Sequence, residues 1–285
     1  MSKVIEDVTI GVIRGMDWVT LAPYANSLAR CGFKGVRVMF VEDEPEEVVQ
    51  NLNKLGFVVI PRKTSAYSKN DNHRPEYLAY GYRRFEPVIE FLKKNTFRYV
   101  IWTDTRDVVF QSDPVPYLET MFPAQIAFAG LGHISLGCKY NDRWIWEASL
   151  DSAIHEEVRR QETLACGTFA GVHEVMLDLI QDMYEGCLDH PCTDQGMFNC
   201  LIRTSPYKEI THVPAVDEPF SAQWWPARRA NLAQFKMSPL HSPERDPIFD
   251  ESTGEVRTWD GELYSMVHLY DRSPKWVKIM QEKYI

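Results

Sequence analysis

The chain has 285 residues, 45% of them hydrophobic and 25% charged, enough for one large α/β domain or two small ones. Its 40 acidic side chains outnumber the 31 basic ones, for a net charge of −9, which argues against a general nucleic-acid binder. No window approaches the roughly 18 uninterrupted apolar residues of a membrane span.

The first fifteen residues, "MSKVIEDVTIGVIRG", hold no long apolar core of a secretory signal. A cytoplasmic, soluble protein is the expectation. In chain order, "VTIGVI" (Val8 to Ile13) reads as a strand and Leu21 to Cys31 as a helix. "GVRVMFV" is a second strand, and "EPEEVVQNLNKLG" is a helix that Gly56 stops. "FVVIP" is a third strand. Unbroken apolar strands alternating with helices imply a parallel sheet covered on both faces. Pro75 to Asn95 carries Leu78, Tyr82, Phe85, Ile89 and Leu92 at steps of four and three, one buried helical stripe that Pro87 should kink or interrupt. A fourth strand follows in "RYVIWTD".

The second half is less regular. "QIAFAG", "TLACGTFAG", "ITHVPAV" and "YSMVHLYD" read as strands, and Val172 to Glu185 and Thr193 to Arg203 as helices. The Pro- and Trp-rich stretch from about Glu218 to Asp260 is the least periodic; a loop of that length is a lid or disordered, and the tryptophans and prolines of "WWPARR" and "SPER" argue against plain disorder. None of the six cysteines forms a C-x-x-C pair, so a reduced, mostly buried set is expected over a zinc site.

The fourth strand ends on Asp104, with Asp107 one turn later in "YVIWTDTRDVVFQSDP". Ligands of open parallel sheets bind at the carboxyl ends of strands. Two neighbouring carboxylates repel unless a positive charge lies between them. A hard divalent cation such as Mg²⁺ or Mn²⁺ supplies it and leaves open positions for phosphates. A turn cap at Asp104 with Asp107 paired to Arg106 is the purely structural account.

The stretch "TDTRDVVFQSDP" resembles the metal motif of GT-A fold glycosyltransferases, and its four-residue Asp-x-x-Asp spacing is most similar to the glycosyltransferase domain of lysyl hydroxylases. It departs from the Asp-x-Asp of glycogenin-like enzymes. The resemblance implies a single GT-A domain over 1–285. A nucleotide-binding half spans about 1–115 and a sugar- and acceptor-binding half about 116–285. The implied activity is transfer of a hexose or pentose from a nucleotide diphosphate donor, a UDP-sugar, to a glycan or other hydroxyl acceptor, with Mn²⁺ or Mg²⁺. It also implies that Asp104 and Asp107 bind the metal and diphosphate, and that the histidine of "VHLYDR", His268, completes the metal site. "LACGTFAG" is similar to the small-residue strand on which the donor sugar lies, with Gly167 and Gly171 permitting close approach. "TDQGMFN" resembles the Asp-Gln segment that contacts the sugar or acceptor. Asp194 is the candidate there, and a helix cap at Thr193 or Asp194 is compatible with it.

Family members seat the nucleotide beside the end of the first strand, where Gly11, Arg14 and Gly15 stand; no G-x-G-x-x-G is present. Arg84 lies on the helix face of Tyr77, Gly81, Val88 and Phe91. A buried arginine there takes a diphosphate or a carboxylate, Glu86 or Asp104, as partner. Trp224 and Trp225 suit a sugar platform or a core, and Arg228 and Arg229 suit a phosphate lid or plain solvation. A catalytic base, if one is needed, would be Asp194, Asp217 or Glu218. Two other readings stand beside this one. A haloacid-dehalogenase-like phosphatase would place Asp-x-Asp on its first strand, and a non-catalytic carbohydrate-binding scaffold would need no metal set.

Overall fold

A computed structural model of the chain describes residues 6–62, 81–121, 124–149, 151–189, 192–204, 206–215, 218–223 and 246–285. Twelve strands are seen among them: β1 Val8–Arg14, β2 Val36–Glu42, β3 Val58–Pro61, β4 Tyr99–Thr103, β5 Val108–Phe110, β6 Ile126–Ile134, β7 Glu162–Val172, β8 Thr211–His212, β9 Ser221–Gln223, β10 Ile248–Asp250, β11 Glu255–Arg257 and β12 Met266–His268.

Seven of them make one sheet in the order β3-β2-β1-β4-β7-β6-β8. β3, β2, β1 and β4 are mutually parallel, as their unbroken apolar runs imply. The two-residue alternation of a strand divides their side chains between two cores. Val38, Phe40, Val100 and Trp102 point into a cluster with the helices Glu86–Lys94 and His173–Asp189. Met39, Val41 and Ile101 point into another with the helices Trp18–Arg30 and Glu46–Lys54. β7 runs antiparallel to both β4 and β6, so the sheet is mostly, not wholly, parallel.

Local chemistry sets the boundaries. Asp17 caps the first helix by accepting from the Thr20 amide at 2.8 Å. Gly56, at φ +77°, closes the second: its N–H bonds Asn53 O and that of Phe57 bonds Leu52 O, the paired bonds of a Schellman turn. Pro87 does interrupt its helix. Residues 81–83 are helical, Arg84 and Phe85 turn, and a new helix starts at Glu86 with the proline in its first turn, where no N–H is needed. Tyr82, Phe85, Ile89 and Leu92 are buried as the stripe requires, while Leu78 and Tyr77 lie outside the described residues. "ITHVPAV" yields only the two-residue β8, because Pro214 has no N–H to donate to a ladder.

A second, three-stranded sheet has the order β5-β12-β9. β12 pairs antiparallel with β5, His268 opposite Val108, and parallel with β9, His268 opposite Gln223. Gln111 fastens a β10–β11 hairpin beside it, accepting from Val256 N and donating to Val256 O and Tyr264 O. Among the described residues no helix is long and apolar enough to cross a membrane.

β7 overruns β4: its pairing with β4 ends at Thr168, and residues 164–166 continue beyond. Side chains of the helix Asp194–Ile202 hold that overhang. Gln195 bonds Leu164 O and Cys166 N, and buried Asn199 bonds both Leu164 N and Leu164 O. Asn199→Ala removes the partner of a buried N–H and leaves a void. It is expected to lower stability by about 2–3 kcal/mol in urea or thermal denaturation, with secondary structure unchanged.

Candidate metal and donor site

β4 delivers Asp104 to the carboxyl edge of the main sheet, where its N–H bonds Gly167 O of β7 at 2.7 Å. Three residues on, Asp107 enters the second sheet just ahead of β5, and its carbonyl accepts from Leu269 N at 2.9 Å. β12 ends at His268, and Leu269 then turns in the left-handed region at φ +63°. Residues far apart in sequence thus converge. Ligand atoms of Asp104, Asp107 and His268 lie within 4.8 Å of one another, the one such group of three among the described residues.

The imidazole is oriented. Gln223 Nε2 donates to the hydroxyls of Thr168 and Ser221, leaving Gln223 Oε1 to accept from His268 Nδ1 at 2.8 Å. With the proton on Nδ1, the Nε2 lone pair faces Asp104 Oδ2 at 3.8 Å and Asp107 Oδ1 at 3.6 Å. Nε2 is buried and has no hydrogen-bond partner. A buried imidazole nitrogen left so, aimed at two carboxylates and backed by an amide, is the arrangement of a metal-ligating histidine with its supporting partner. Two carboxylate oxygens and one imidazole suit Mn²⁺ or Mg²⁺ better than a softer ion. Gly167 completes the cradle. A Cβ there would stand 2.3 Å from His268 Cε1 and 2.7 Å from Asp104 Oδ2, so the glycine abuts the candidate ligands themselves.

The two carboxylates are not equivalent. Burial pushes Asp107 up to about 6; neighbouring Asp104 and Asp271 add to the rise, and His268 opposes it. Burial also raises Asp104, but the charge of Arg84 and its hydrogen bond outweigh it and hold Asp104 below the usual carboxylate range.

Arg84 leaves its helix at the interruption before Pro87. Its Nε donates to Gly81 O, one terminal nitrogen bonds Asp104 Oδ1 at 2.6 Å and the other bonds Asp194 Oδ2 at 2.7 Å. The guanidinium lies 5.1 Å from the ring centre of Trp102. Of the partners open to Arg84 in the sequence, Asp104 is the one found in the structure, with Asp194 beside it. Asp194 begins its helix, and its Oδ1 accepts from the Gln195 amide at 2.8 Å. Thr193 Oγ1 caps, accepting from Gly196 N at 3.0 Å, which leaves Asp194 Oδ2 for Arg84.

Arg14 and Gly15 stand exposed at the end of β1, on the same edge as Asp104, with Gly15 at φ +58° and its N–H on Glu42 O. Gly11 is spent on packing, since a Cβ there would meet Thr105 Cγ2 at 2.6 Å. Glu218 is held by Tyr117, His212 and the Ala215 amide ahead of β9, at the end away from Gln223. Asp217, Trp224, Trp225, Arg228 and Arg229 lie outside the described residues. Sequence reasoning missed Gln223 and Asp271. Gln223 sits on a three-residue strand too short for any periodic signal.

No family model matches the chain, and no curated protein sequence matches it. Solved structures do. The galactosyltransferase LgtC, crystallised with donor and acceptor sugar analogs, aligns over 92% of this chain and 86% of its own, at TM-score 0.53 and 11% identity. The chain has the GT-A fold. An active-site mutant of LgtC aligns equally well. The bifunctional glycosyltransferase WbbM, in its apo form, aligns over 99% of this chain and 52% of its own, at TM-score 0.52 and 8% identity.

A cation held at Asp107 would compete there with protons. Its folded-state value lies above the ordinary carboxylate value, so between about pH 4 and 6 the folded protein binds more protons than the unfolded chain, and ionising Asp107 without a metal is destabilising as pH rises through that window. The rise in Tm on adding Mn²⁺ is therefore expected to be large at pH 7.5 and to shrink as the pH falls below about 6. Differential scanning fluorimetry with Mn²⁺ against EDTA at both pH values measures it. Gly167→Ala should abolish the Mn²⁺ shift at either pH.

Proposed function

We propose that this GT-A chain is a metal-dependent glycosyltransferase that takes its sugar from a nucleotide diphosphate donor, a UDP-sugar, and passes it to the hydroxyl of a glycan. The observation that carries the reading is the buried, unpartnered Nε2 of His268 facing Asp104 and Asp107 at the carboxyl edge of β4. Asp104, Asp107 and His268 would hold the divalent cation. When bound, Mn²⁺ or Mg²⁺ supplies the positive charge that stabilises a departing nucleoside diphosphate.

The rest falls to the chain. The half before about residue 115 takes the nucleotide, with Arg14 and Gly15 at the end of β1 beside the base and ribose. The half after it takes sugar and acceptor. Arg84 holds Asp104 and Asp194 in fixed relation, so that the metal ligands and the sugar-contacting carboxylate form one unit. Asp194, with Thr193 capping the helix and Arg84 on its Oδ2, accepts hydrogen bonds from hydroxyls of the donor sugar or positions the acceptor. Burial on the floor of the edge excludes water from the bond that breaks, where charge builds on an oxocarbenium-like sugar.

A haloacid-dehalogenase-like phosphatase would carry its nucleophilic aspartate at the end of the first strand. Here β1 ends on Arg14, and the next aspartate, Asp17, is exposed and capping a helix. A carbohydrate-binding scaffold has no use for a histidine held as a metal ligand.

Isothermal titration of UDP, with GDP beside it, tests the donor. UDP is expected to bind with Mn²⁺ and not with EDTA, and Asp107→Ala to abolish binding. Asp194→Asn is expected to retain UDP and Mn²⁺ binding while lowering turnover of the UDP-sugar by about a hundredfold or more, as loss of a group acting in the transition state does. Metal-independent UDP binding, or none at all, would remove the proposal and leave only the fold.

A further inference from the structure

None of the six cysteines is in a disulfide, and five of them are buried. Three thiols are turned toward other atoms: Cys31 donates to Leu28 O, Cys200 to Ile145 O, and Cys138 accepts from Asn141 Nδ2. Cys187 and Cys192 meet each other, sulfur to sulfur, at 3.8 Å. Their exposures are 0% and 1%. Cys187 sits in the last turns of the helix His173–Asp189. Cys192 immediately precedes Thr193, the cap of the helix that starts at Asp194. The two helices touch, since a Cβ on Gly186 would stand 2.6 Å from Met197 Cε.

We propose that Cys187 and Cys192 are an oxidation site, at which hydrogen peroxide or an organic hydroperoxide joins the two thiols in a disulfide that disturbs the start of the helix carrying Asp194. One sulfur attacks the peroxide, the O–O bond breaks, and a sulfenic acid forms with water from hydrogen peroxide or the alcohol from an organic hydroperoxide. The second sulfur attacks the first, the S–O bond breaks, the S–S bond forms, and a water leaves with the remaining proton. Each cysteine gives up one electron, and the two together reduce the peroxide. A small oxidant suits the site, because the burial of both thiols bars bulky disulfides.

A disulfide needs its sulfurs about 2.05 Å apart, so the pair must close by about 1.7 Å. Cys187 is embedded in a 17-residue helix and is the fixed partner. The movement therefore falls on Cys192, and through it on the Thr193 cap and the 2.7 Å bond between Asp194 and Arg84. Displacements of this size are enough to misplace a positioning group. The effect on donor chemistry rests on the glycosyltransferase reading above, whereas the chemistry of the thiols does not.

The test treats the reduced protein with hydrogen peroxide, blocks remaining thiols by alkylation, and maps peptides by mass spectrometry. The expected product is a peptide linking Cys187 to Cys192, about 2 Da lighter than the reduced pair and restored by dithiothreitol. Hydrogen exchange should speed up at the Gly196 amide, which bonds Thr193 Oγ1. Turnover of the UDP-sugar should fall about tenfold or more and recover on reduction. Cys187→Ser should lose both the crosslink and the peroxide sensitivity, while Cys200→Ser keeps them. Oxidation spread over Cys31, Cys138 and Cys200 with no linked peptide overturns the proposal. So does a linked peptide with Gly196 exchange unchanged. A reduced protein that binds no UDP sinks the glycosyltransferase reading, and the crosslink and exchange then still decide the thiol site on their own.

Discussion

The structure turns on the cost of burying two carboxylates beside each other. Asp104 and Asp107 are three residues apart, the first half-buried and the second buried, and near enough to repel. A pair of this kind persists only with compensation from outside the motif. The protein supplies it unequally. Arg84 gives Asp104 a full ion pair. Asp107 has no such partner within its own sheet and is left with a raised proton affinity. The imbalance is itself informative. A structural carboxylate would be neutralised by a side chain, whereas Asp107 faces an unprotonated imidazole nitrogen across a gap that suits a cation.

The small β5-β12-β9 sheet closes that gap. Its register sets His268 opposite Val108, one residue past Asp107, and opposite Gln223 on the other side. One pairing places the histidine against the aspartate, and the other places it against the amide that chooses its tautomer. Thr168 and Ser221 in turn fix the amide. The chain therefore orients its candidate metal ligand through a relay of neutral hydrogen bonds. A second carboxylate in the place of Gln223 would have added to the repulsion already present.

Asp194 shows how one segment serves both packing and site. Thr193 satisfies the helix start, Gln195 and Asn199 hold the overhanging end of β7, and Asp194 is left to meet Arg84. "TDQGMFN" admits a helix cap and a functional carboxylate together, and in the structure Thr193 caps while Asp194 bonds the Gln195 amide and Arg84. Arg84 was legible as an inward-facing arginine from its helix face. That it joins Asp104 to Asp194 was not, because the two aspartates are 90 residues apart in sequence and no local pattern couples them.

By itself, the sequence determined the β1–β4 strands and the helices between them, the stop at Gly56, the break at Pro87 and the Asp104–Asp107 pair. Each of these depends on interactions within a few residues: alternating burial, a left-handed glycine, a missing N–H, a strand end. It determined the direction of the first four strands too, since helices between apolar runs leave only parallel pairing. Tertiary structure decided that β7 would run antiparallel between β4 and β6, that three-residue strands from distant parts of the chain would form a second sheet, and that Gln223 would stand behind His268. Such short strands have no periodicity to read. They exist because the rest of the fold brings their backbones within hydrogen-bonding distance, and only then does a histidine in a short apolar run acquire two carboxylates to face.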